Sequence, residues 1–161
     1  MRSTTEVLLA AFNSFTERLK ARPGFVLPKA QIIVAGQVAY DCELFAVSTM
    51  TPSYQGVPGM PSTGYQVSTG GVAMYATEMQ VTLVRSQPNM DNGGRPPNPN
   101  QLTQASIKSL DDAAALTDVF WAAAQDDSLA GACDTVYFGG VTFNGPMGEM
   151  LGTVLTMAVQ L

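Results

Sequence analysis

The spacing of apolar residues switches between a period near 3.6 and a period of 2 along this chain, and each switch marks a new element. Leu8, Phe12, Phe15 and Leu19 recur at spacings of four, three and four, which predicts a helix. Ser3 and Glu6 fit a capping box at its start, Arg18, Lys20 and Arg22 suit the negative end of its dipole, and Pro23-Gly24 ends it. From Gln31 the pattern turns to β. "QIIVAGQV" (31–38) is a short apolar run, and "CELFAVSTM" (42–50) alternates, with Leu44, Ala46 and Ser48 on one face and Phe45, Val47 and Thr49 on the other. In "VAMYATEMQVTLVRS" (72–86), Met79, Val81 and Leu83 oppose Glu78, Gln80 and Thr82, a half-buried strand long enough to run beyond a core.

A second helix is expected over "SLDDAAALTDVFWAAAQDD" (109–127). Ser109 or Asp111 would cap it, and Leu110, Ala114, Thr117, Phe120, Trp121 and Ala124 would lie on or near one apolar face. "DTVYFGGVTFNGP" (134–146) and "EMLGTVLTMAVQL" (149–161) read as strands, with a turn signal at Asn144-Gly145 that Pro146-Met147-Gly148 lengthens. In the last strand Leu151, Thr153, Leu155, Met157 and Val159 share a face.

Helix, strands, helix, strands is the order of an α+β fold: a mostly antiparallel β-sheet with two α-helices packed on one face, joined by long inter-strand and strand-to-helix loops. The loops are 51–71 and the stretch "PNMDNGGRPPNPN" (88–100), where Pro, Gly and Asn crowd out regular structure. Splitting the chain there would leave a C-terminal piece too small for a robust core, so residues 1–161 are read as a single domain and the stretch as an excursion within it.

Composition changes this picture in one respect. Hydrophobic residues make up 46% of the chain, enough for a core, but charged residues only 13%, about half the usual share. Either Ser, Thr, Asn and Gln solvate the surface, or neighbouring subunits cover much of it, since interface cores are depleted of charge. A net charge of −5 without a basic run argues against gripping nucleic acid. No apolar stretch is long enough for a membrane helix, and Glu6 and Asn13 make the N-terminal stretch a poor signal peptide, so a soluble protein folding in a cytoplasm is expected. Cys42 and Cys133 are two buried small hydrophobes or a disulfide pair, with free thiols assumed.

Candidate chemistry is sparse. The absence of histidine removes Ser-His and Cys-His nucleophile pairs and most zinc and iron sites. Asp111-Asp112 is assigned to a helix start and Asp126-Asp127 to a solvated helix end, while Gly70-Gly71, Gly93-Gly94 and Gly139-Gly140 lack the context of a phosphate loop. No catalytic, cofactor or metal site is expected. The alternative from another class is a small ligand-binding or enzymatic domain using Asp41, Glu43 and Glu78. The loops offer partner contacts instead: Tyr54, Met60 and Tyr65 in the first are groups that prefer to be covered, and Arg95 and Asn98 are the candidates in the second.

An N-terminal helix, "CELFAVSTM", a long hairpin into "YATEMQVTLVRSQP", the acidic-capped helix "LDDAAALTDVFWAAA" and a closing strand ending "GTVLTMAVQL" together resemble the tail terminator proteins of long-tailed, non-contractile bacteriophages. The resemblance is one of layout over nearly the whole chain, and is greatest from Glu78 to Trp121. The chain departs from smaller members by its longer loops, 51–71 and 86–105, and by the run at 31–38. The resemblance implies a structural virion protein, assembled in the host cytoplasm. It would form a homohexameric ring on the last ring of the major tail tube protein, stop its polymerisation and present a docking face to the head-tail connector or stopper protein. DNA would pass through the lumen without specific binding. The nearest alternative is another head-tail joining, neck or tail-completion protein of similar fold.

Overall fold

The computed structural model describes residues 3–55, 75–89, 93–126, 128–129 and 135–160. Its first element, α1 (Thr4–Ala21), begins where the sequence places it. The Glu6 amide donates to Ser3 Oγ at 3.2 Å and the Ser3 amide to Glu6 Oε2 at 2.8 Å, closing the capping box. Val7, Leu8, Ala11, Phe15 and Leu19 are buried, and Phe12 packs on Phe45 with ring centroids 6.0 Å apart.

Three strands follow along one part of the sheet: β1 (Ala30–Ala35), β2 (Leu44–Gln55) and β3 (Tyr75–Ser86). The second helix, α2 (Pro99–Gln125), precedes the closing strands β4 (Thr135–Met147) and β5 (Met150–Gln160). All five strands form one sheet in the order β1-β2-β3-β5-β4, with β1 parallel to β2 and every other neighbouring pair antiparallel. This is the α+β architecture that the order of elements predicts. Phe45 and Val47, Met79, Val81 and Leu83, and Leu155, Met157 and Val159 form the sheet face that both helices cover. Burying one such side chain fully contributes about 1.5–3 kcal/mol.

The parallel β1–β2 pair requires a crossover, and residues 36–43 supply it without a helix. The crossover lies on the sheet face away from the helices, where Val38 and Tyr40 pack with Leu44, Ala46, Val84 and Met150. Gly152 of β5 makes room for it: a Cβ there would lie 2.3 Å from the Tyr40 hydroxyl oxygen.

Three sequence-based boundaries move. Thr51–Gln55, assigned to a loop, continues β2. The closing hairpin turns at Gly148-Glu149, with Met147 paired to Met150, rather than at Asn144-Gly145. Gly145 (φ 111°) instead sits in a register shift between Asn144 and Met147, and Gly148 (φ 60°) supplies the left-handed conformation that a two-residue turn needs.

The largest correction concerns α2. It starts at Pro99 rather than at Ser109 or Asp111, because Asn98 is the N-cap, Pro99 fills the first turn and Gln101 closes a capping box. The Asn100 amide donates to Asn98 Oδ1 at 2.8 Å and the Asn98 amide to Gln101 Oε1 at 3.1 Å. The buried face is Ser109, Asp112, Ala115, Leu116, Val119, Phe120 and Ala123. Of the residues expected there, Phe120 is buried and Ala124 half-buried, but the line Leu110, Ala114, Thr117, Trp121 points away from the core. Leu110 is 59% and Trp121 48% exposed.

A buried ion pair fixes that rotation. Arg85, the next core-facing position of β3 after Leu83, donates from Nε to Asp112 Oδ2 at 2.5 Å and from one Nη to Asp112 Oδ1 at 2.9 Å. The same Nη group donates to the Val26 carbonyl at 2.9 Å, and the guanidinium lies 5.3 Å from the Phe25 ring centroid. Asp112 is thus a buried mid-helix partner, not a helix-start residue. Asp126 is exposed, as expected, and as the C-cap it also pairs with Arg18, while Asp127 lies outside the described residues; Asp118 pairs with Arg22 at 2.9 Å. Successive α1 positions therefore meet earlier α2 positions, so the two helices run antiparallel.

Candidate functional site

The titratable side chains of the described residues are dispersed. No group of three or more His, Cys, Asp or Glu side chains among them could hold a metal ion. The three carboxylates singled out in the sequence are not brought together. Glu43 sits beside Ser86, accepting from its amide at 3.1 Å and its hydroxyl at 2.8 Å. The Ser86 amide and hydroxyl, aided by Arg85 and Lys108 nearby, hold the Glu43 carboxyl below its ordinary range against a smaller opposing effect of burial. Glu78 pairs across from Thr51 at the far part of the β2–β3 ladder, whereas Glu43 adjoins the Leu44–Val84 end, and Asp41 belongs to the crossover rather than to a strand. An open groove between the helices is lined by Arg18, Arg22 and Asp118, and both arginines are engaged by α2 carboxylates.

The unusual features are on the outside. Edge strands of soluble proteins are normally blunted by charged side chains, Pro or bulges, because their unpaired amides and carbonyls are a template for another chain. β1 is the sheet edge on one flank, and from Ala30 to Tyr40 the sequence has no charged residue and no Pro. Its pairing with β2 is unbroken over six positions, and Ile32 and Ile33 are 41% and 40% exposed. β4 is the edge on the opposite flank; from Thr135 to Gly148 it has no charged residue, but Pro146 and two register shifts blunt its ends and leave only its middle uninterrupted. Phe143 and Met147 are 45% and 56% exposed there.

The β4 flank continues onto α2. Trp121 lies against Phe138 of β4, ring centroids 5.5 Å apart, and edge-on to Phe120 at 5.1 Å. Ile107, Leu110 and Ala114 extend the same exposed helix line toward the N-terminus. Around this line the hydroxyls of Thr103, Ser106 and Thr117 donate to carbonyls one turn back, so polar groups on this helix are satisfied without carrying charge.

Of the contact residues expected from sequence, Asn98 serves as the α2 cap, although it remains exposed. Arg95 is exposed in the segment leading into that cap. The Tyr54 backbone pairs with Ala76 in the β2–β3 ladder, and Met60 and Tyr65 lie outside the described residues, as does Cys133. Cys42, expected to be buried, is exposed with a free thiol. The sheet edges were missed, because strand order is not visible in a period. Their signal was the absence of charge from two separate strand-like runs. No protein-family model matches the chain, and no curated protein matches it.

Proposed function

We propose that this chain is a structural assembly subunit, a tail-terminator-type protein that forms a homohexameric ring on the head-proximal end of a phage tail tube, halts tube growth and carries the docking face for the head-tail connector. The observation that supports it best is the pair of charge-free, partly apolar sheet edges on opposite flanks of one molecule. Two different flanks that both call for cover suit head-to-tail association, which closes into a ring when the rotation between copies allows it. A surface low in charge, with 13% charged residues in the chain, suits cover by other copies.

The reading is tested by adding the purified protein to polymerising tail tube protein and measuring tube lengths by electron microscopy. Capped tubes with density at one end, and no further growth, are expected. Tubes that grow to the same lengths with no protein at their ends would exclude the tail role.

A further inference from the structure

We infer that copies of this chain join through their sheets, the β4 edge of one copy pairing antiparallel with the β1 edge of the next. The ring in this inference rests on the assembly role proposed above, but the pairing itself is argued from strand polarity and charge. Taking β2 as running up, β1 also runs up, β3 down, β5 up and β4 down, because only the β1–β2 pair is parallel. Among the described residues the two edge strands of the sheet are therefore of opposite polarity. When two copies stand side by side with their strands in the same sense, β4 of one meets β1 of the next in antiparallel orientation, the slightly stronger of the two ladder types. A fully antiparallel five-stranded sheet would have edges of like sense, and the same side-by-side placement would bring them together in parallel.

Length and composition agree with this pairing. β1 offers six residues in unbroken register. β4 is interrupted by register shifts between Phe138 and Gly140 (φ 108°) and between Asn144 and Met147, which leave Val141–Asn144 as a regular stretch. That stretch is shorter than β1, would fit within it, and carries no charge. The shifts on either side would limit the ladder to it, so that β4 pairs in one register and does not slide. Side chains add specificity: Ile33, which shares the helix-covered face with Val47, would meet the flank that carries Phe143 and Trp121 of the other copy, while Ile32 would lie on the opposite face. The occupant is a second copy rather than an unrelated strand because a foreign partner would cover one edge and leave the other open, whereas head-to-tail pairing covers both.

The decisive experiment uses two single substitutions at exposed positions, Ile33→Lys on β1 and Phe143→Lys on β4, in the full chain. Circular dichroism and thermal midpoints identify any variant that has lost its fold, and Thr142→Lys repeats the β4 test at a neighbouring exposed polar position. By analytical ultracentrifugation the unmodified chain is expected to associate, and each variant to sediment as a monomer at the same concentration. Mixed in equal amounts, the two variants should form heterodimers and nothing larger, since each retains one intact edge. A folded chain that is monomeric throughout, variants that assemble like the unmodified chain, or a mixture that stays monomeric would each overturn the pairing. The tail role fails separately: rings that ignore tube ends would remove that role and leave the pairing standing, and a monomer that caps tubes would do the reverse.

Discussion

The Arg85–Asp112 pair holds a β-strand, a long helix and the segment after α1 to one another, with both side chains over nine-tenths buried. Removing one partner strands the other charge in the interior, and a buried pair broken this way typically costs about 3–5 kcal/mol. Arg85→Met and Asp112→Leu are each expected to destabilise by that order in urea titrations, and the double variant by clearly less than the two together. Additive losses would show that the groups act independently. Gly152 is a second such point, since a methyl group there would collide with the Tyr40 ring. Gly152→Ala is expected to lower the thermal midpoint, and the companion change Tyr40→Ala should remove most of the added penalty. Glu43 gives a pH signature. Its carboxyl is held low in the folded chain by Ser86, so its contribution is present in full above about pH 4.5 and is lost as pH falls through the lowered value. Thermal midpoints of the unmodified chain and Glu43→Gln should differ above that pH and converge in acid.

Among the elements, α2 carries an asymmetry. Its buried residues begin at Ser109, so the turns from Pro99 to Lys108, roughly 15 Å of helix, extend past the covered part of the sheet. A cap on such an overhang acts locally. Asn98→Ala, worth about 1 kcal/mol at a helix N-terminus, should speed amide hydrogen exchange over residues 99–108 while leaving the global midpoint nearly unchanged. A large drop in midpoint would mean that these turns are part of the cooperative core. Shortening the segment that precedes Asn98 should likewise spare the fold, provided the cap is retained. The strands with clean alternation were legible residue by residue: Met79, Val81 and Leu83 face the core as their spacing says. α2 was not, because two apolar lines coexist on it. Leu110-Ala114-Thr117-Trp121 and Ser109-Asp112-Leu116-Val119-Ala123 both have helical spacing, but Asp112 must meet Arg85, and that contact, 27 positions away in the chain, sets the rotation. The cap itself was readable, as Asn98-Pro99 with Gln101 to follow, but lay inside a stretch whose prolines suggested only loop.

For the whole molecule, the uncharged edges dictate how association should respond to solvent. Contacts between exposed charges are screened by salt, whereas burial of apolar surface and backbone pairing are not. Raising sodium chloride should leave the association constant nearly unchanged, and sulfate should strengthen it by favouring burial. Dissociation at moderate salt, measured by light scattering, would point to a charge-based interface instead. The topology was only partly legible at this scale. The α+β class follows from the order of elements, but the places of β1 and β4 at opposite edges depend on which strands pair, a choice made by distant contacts.

The number of strands also has a metrical consequence. Neighbouring strands in a sheet stand about 4.8 Å apart, so a five-stranded copy joined edge to edge adds about 24 Å to a closed perimeter. A ring of six would measure about 145 Å around at the sheet and about 45 Å across, an opening wider than a DNA duplex, before any allowance for strand tilt. The number of strands in this small sheet would then serve as the gauge of the bore, and inserting or deleting an edge strand would change the channel width.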